Sequence, residues 1–139
     1  MRRIVLAAVT GLAVLVLAAC GGPEGVGAFA EEATPRDALP GYLKAAELDP
    51  ASSRLLAESD GVAFYAAKPA ADGAASAACI VIDGQRDGSS WVVGCSEKAP
   101  VATGIDGVQA MLVTDGFDSS KLQQDGWREL HPNLLVKRS

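Results

Sequence analysis

The segment Ala78-Cys79-Ile80-Val81-Ile82-Asp83-Gly84-Gln85-Arg86-Asp87-Gly88-Ser89-Ser90-Trp91-Val92-Val93-Gly94-Cys95 decides the fold of this chain. Two runs rich in Val and Ile, which suit a pleated and half-buried surface, flank a stretch holding two Asp-Gly pairs. Glycine tolerates positive φ, so such a stretch reads as a turn and the whole as a β-hairpin centred on residues 83–88. Pairing Ile80–Asp83 with Trp91–Gly94 sets Cys79 opposite Cys95 and Val81 opposite Val93 on one face. Opposed strand residues lie ~4.5–5.5 Å apart at Cα, within reach of a disulfide.

The same pattern extends on both sides. Arg54-Leu55-Leu56-Ala57 leads through Ser59-Asp60-Gly61 to Val62-Ala63-Phe64-Tyr65-Ala66-Ala67. Later runs are Val108–Val113 before Asp115-Gly116, Gly126–Leu130, and Leu134–Val136 after the break at His131-Pro132. Six or so short strands predict an α+β, mostly β fold: a small antiparallel sheet or incomplete barrel. One short N-terminal helix is expected over Pro40–Leu48, with Leu43, Ala46 and Leu48 facing the sheet, because Asp49-Pro50 ends it. The tail Lys137-Arg138-Ser139 reads as a solvated end. No internal repeat or phosphate-binding glycine pattern appears.

The N-terminus has a different logic. Arg2 and Arg3 precede an apolar run from Ile4 to Leu17. As a helix that run would reach about 21 Å, short of the ~30 Å hydrocarbon core that a permanent span crosses. The charges, the short apolar run and small residues Ala18 and Ala19 read as an export signal. Leu17-Ala18-Ala19-Cys20 resembles the lipobox of bacterial lipoproteins. That resemblance implies cleavage between Ala19 and Cys20, and a diacylglyceryl group on the Cys20 sulfur holding the protein on the outer face of the cell membrane. An uncleaved anchor and an ordinary secretory peptide are the alternatives. The body, with its Cys-Ile-Val-Ile, turn, Trp-Val-Val-Gly-Cys pattern, loosely resembles small exported actinobacterial lipoproteins of unassigned function. With Cys20 taken by lipid, Cys79 and Cys95 remain as an even pair in an oxidising compartment, so a structural disulfide is expected between them.

Three regions follow: a signal peptide over 1–19, a lipidated N-terminus and flexible linker over 20–35, and one small extracytoplasmic β-rich domain over 36–139. Gly21-Gly22-Pro23-Glu24-Gly25-Val26-Gly27 cannot hold a helix or strand, which makes it a tether. Loss of Arg2 and Arg3 leaves ten Lys and Arg against seventeen Asp and Glu, a mature net charge of about −7. Phosphate backbones repel such a body, so nucleic acid is not an expected partner.

Chemistry is sparse. Asp83 and Asp87 alternate ahead of a glycine, but the twelfth position of a calcium loop, where a bidentate Glu belongs, is Gly94; no metal or other cofactor is expected. His131 is the only histidine, in a turn before Pro132, and no serine elbow accompanies it. The cysteine spacing is not that of a redox pair. Phe64, Tyr65, Trp91 and Trp127 read as core, with a ligand groove as the alternative, and Phe117 as a candidate contact on a turn. No catalytic residue is nominated. The expected function is a non-enzymatic interaction or envelope module with an envelope protein as partner; a small-solute-binding lipoprotein is the alternative and an enzyme the third reading.

Overall fold

Among the described residues, eight strands arise where the apolar runs and turns place them. They are β1 (Leu48–Ser59), β2 (Val62–Pro69), β3 (Ala78–Asp83), β4 (Trp91–Ser96), β5 (Val101–Ile105), β6 (Val108–Leu112), β7 (Arg128–His131) and β8 (Leu134–Arg138). A computed structural model describes residues 25–71, 77–85 and 88–139. The expected signal peptide, Cys20, Arg86 and Asp87 lie outside the described residues.

The strands form two open four-stranded antiparallel sheets, ordered β1-β2-β3-β4 and β5-β6-β8-β7. The mostly β fold is as expected, with one sheet resolved into two. Alternation along β2 and β3 explains the layering. Phe64, Ala66, Ala78, Ile80 and Ile82 face the second sheet, meeting Val101, Val108, Ala110, Leu112, Leu134 and Val136. The alternate residues Ala63, Tyr65, Ala67, Cys79 and Val81 face outward, yet they too are buried. Because both faces of this sheet are covered, β3 is buried along its whole length. Fully burying one Ile or Leu contributes ~1.5–3 kcal/mol, so these two layers dominate the fold's stability.

The hairpin register is the expected one: Cys79 pairs with Cys95 and Val81 with Val93. Asp60-Gly61 and Asp106-Gly107 make tight turns with positive φ at both residues, the geometry that matches strand twist. Sequence reading found the first and passed over the second, and with it β5. Between the sheets, β4 and β5 approach so closely that a Cβ on Gly94 would lie 2.8 Å from Thr103 Cβ.

Several expectations change. Residues 40–47 form turns rather than a helix, with Leu43 N–H donating to the Pro40 carbonyl and Leu48 N–H to that of Ala45. The segment lies as an open strip across the outer face of the first sheet, where Leu39, Leu43 and Ala45 pack; Ala46 is exposed and Leu48 belongs to β1. Covering a flat apolar sheet this way outweighs the weak propensity of so short a helix. The helical pieces nearest the N-terminus are instead 3-10 turns at Gly27–Ala30 and Pro35–Asp37, and a short helix not anticipated, α1, spans Ser120–Gln124. Of the tether expected over 20–35, residues 25–31 are docked on the body, as described below, while residues 32–35 are exposed. The tail is exposed at Arg138 and Ser139, as expected, yet it is also tied down: β8 runs to Arg138, whose guanidinium donates to the Ser59 carbonyl (2.9 Å) and pairs with Asp60 (3.4 Å). Ser139 N–H donates to the Gly107 carbonyl at 3.0 Å.

Candidate functional site

Three constructions use polar or aromatic groups in ways that packing alone does not require. The first is a clip for the N-terminal segment. The turn between β7 and β8 turns Asn133 inward until it is 1% exposed. Its Nδ2 donates to the Val113 carbonyl (3.0 Å) and to Asp115 Oδ1 (2.7 Å), while its Oδ1 accepts from Ala28 N–H (3.1 Å). Asp115 Oδ1 also accepts from Gly27 N–H (2.9 Å), and Asp115 N–H donates to the Gly25 carbonyl (2.8 Å). Gly27 lies so near that a Cβ there would overlap the Asp115 carboxylate. Ala28 is buried in the inter-sheet core, Phe29 packs against that core, and the Lys68 ammonium stands 5.4 Å above the Phe29 ring. Arg54 then grips the Glu31 carbonyl with two N–H groups at 3.0 and 3.1 Å. Residues 25–31 are therefore a strap bolted to one end of the sandwich.

The second is a latch over the outer layer. Asp83, 1% exposed, accepts from the Tyr42 hydroxyl (2.7 Å) and from Gln85 N–H (3.0 Å). Hydrogen bonding to Asp83, aided by desolvation and the carboxylate's charge, pushes the Tyr42 hydroxyl up to about 12. Burial, and then the charge of Asp83, also raise Tyr65. Cys79, buried in the layer that this strip covers, is joined by a disulfide to Cys95, which is exposed, with the Cα atoms 4.1 Å apart. The sequence places Asp83 at the start of the hairpin turn; the structure makes it an internal anchor.

The third is a groove on the outer side of the second sheet, lined by Ala102, Thr103, Gly104, Gln109 and Trp127. Gly126, at φ 91°, lets the chain leave α1, and Trp127 N–H donates to the Leu122 carbonyl (3.0 Å), which sets the indole at the start of β7. Small residues on β5 leave the indole half-exposed beside a shallow space of about 240 Å³.

The remaining candidates fall in place around these. Phe64 and Tyr65 are core, Trp91 packs half-buried on the outer layer, and Phe117 is half-buried. His131 is half-buried, with Nδ1 accepting from Asn133 N–H at 3.0 Å. Among the described residues no group of three or more His, Cys, Asp and Glu side chains is placed to hold a metal ion. Sequence reasoning missed Tyr42, Asp115 and Asn133; their neighbours in space lie 18 to 105 positions away in the chain, and only Asn133 in a Pro-Asn turn carried any local signal. Comparison of the chain with protein-family models, with curated proteins and with solved structures finds no match.

Proposed function

We propose that this protein is a lipoprotein anchored through Cys20 to the extracytoplasmic face of the cell membrane, where it acts as a non-enzymatic interaction module of the envelope. The observation that carries the interaction reading is the Trp127 groove. A half-exposed indole beside Ala102, Gly104 and Gln109 is a surface of the kind that anchors protein contacts, in which tryptophan is enriched. Two features support the compartment: the lipobox-like Leu17-Ala18-Ala19-Cys20, and a cross-strand disulfide, a bond that persists where the environment is oxidising. At about 240 Å³ the groove is smaller than the ~300–1,000 Å³ of a pocket that encloses a small molecule, which ranks partner binding above solute binding.

The test is site-specific photo-crosslinking in intact cells from position 109. A single discrete protein adduct, lost in Trp127→Ala while the thermal midpoint of the variant is retained, is the expected result. No adduct, together with a saturable solute-dependent change in Trp127 fluorescence, would replace the interaction module with a solute-binding lipoprotein.

A further inference from the structure

The strap has a geometric consequence for how the body sits on a membrane, and it rests on the lipoprotein reading of Cys20. Gly25, the first described residue, is held through its carbonyl by Asp115 N–H. Only residues 21–24 separate it from Cys20, and a fully extended chain covers at most ~3.6 Å per residue. The held point therefore lies no more than about 18 Å from the Cys20 Cα. Had all of 20–35 been free, the reach would be about 50 Å.

The strap is held at one end of the sandwich. Gathered there are the end of β6 and Val113–Asp115, the β7–β8 turn with Asn133, the start of β5, and the β4–β5 connection around Lys98. The Asp60-Gly61 and Asp106-Gly107 turns close the opposite end. We propose that the clip made by Asn133 and Asp115 turns the N-terminal segment from a loose tether into a mount, holding the Lys98–Asp115–Asn133 end of the domain against the lipid surface and the Asp60–Asp106 end away from it. Strands of five to six residues at ~3.3 Å each separate the two ends by roughly 15–20 Å, a distance that energy transfer resolves.

The full-length protein, processed and lipidated in its host, is purified and reconstituted into phosphatidylcholine vesicles carrying a head-group acceptor dye. A fluorescent amino acid serves as donor at position 98 or at position 60. The mount predicts markedly stronger transfer from 98 than from 60. Inserting ten Gly/Ser residues between Gly22 and Pro23, ahead of the docked residues 25–31, should leave the strap docked but lower transfer from 98 and bring the two positions close to equal. Gly27→Ala, which drives a Cβ into the Asp115 carboxylate, should narrow the difference in the same direction. Equal transfer from 98 and 60 in the wild type, unchanged by the insertion, would overturn the mount while leaving the lipid anchor standing. Protein that neither carries lipid on Cys20 nor floats with vesicles would overturn the anchor itself, and the mount with it.

Discussion

Tyr42 is 42% exposed while its hydroxyl reaches a carboxylate that water does not. Removing that hydroxyl leaves Asp83 with the Gln85 N–H as its remaining described partner. Tyr42→Phe should therefore destabilise the fold by about 1 kcal/mol at pH 7, read by urea titration. The folded hydroxyl titrates at about 12, above its ordinary value of 10.0, so its contribution is complete below pH 10 and is lost as pH rises through 12. The difference between wild type and Tyr42→Phe should shrink over that window; a constant difference would mean that the hydrogen bond is not its source. Asn133 is the stronger case, because it is buried and serves three partners. Asn133→Ala strands the Ala28 N–H and the Val113 carbonyl and should cost about 2–4 kcal/mol. Amide exchange at Gly27 and Ala28 should accelerate more than in β3, marking the strap as the first part to open.

At the scale of elements, the β3–β4 hairpin is the firmest unit. It is buried on both faces along β3 and cross-linked at the end away from its turn. A loop of about fifteen residues closed by a disulfide gains roughly 3 kcal/mol in the chain-entropy model. The double variant Cys79→Ala/Cys95→Ala should lose about that much in denaturant titration, and reduction of the wild type should reproduce the loss. A loss below about 1 kcal/mol would show that the hairpin is held by its apolar layers alone. The strip over residues 40–47 stands at the other extreme. It is held by a few apolar contacts, the Tyr42 hydroxyl, and the Glu47 carbonyl, which accepts from Ala70 N–H at 2.8 Å.

For the whole molecule, the two sheets leave different exteriors. The first sheet is closed over by the strip, whereas the second presents Trp127 and the small residues of β5 to solvent. Gly104, Gln109 and Trp127 lie toward the end opposite the strap, so a mounted domain would present its groove outward rather than into lipid. Cys20→Ser should transfer the protein from the membrane to the soluble fraction, because the lipid anchor is lost. Persistence of a cleaved, lipidated form in that variant would remove the lipoprotein reading.

What the sequence by itself determined is local. Alternating Val and Ile runs, Asp-Gly turns and the period of two in a strand were enough to set the β3–β4 register and bring Cys79 to Cys95. Phe64 and Tyr65 declared themselves core by their size in a chain with few aromatics, and the structure buries both. Tertiary structure alone decided the division into two sheets, the open strip over residues 40–47, the docking of the strap, and the burial of Asp83 and Asn133. Each of these depends on a partner distant in sequence: Tyr42 for Asp83, Ala28 for Asn133, and a flat apolar sheet for Leu39 and Leu43. A polar residue carries no mark of the hydrogen bonds that will repay its burial, because those partners come together only when the chain has folded.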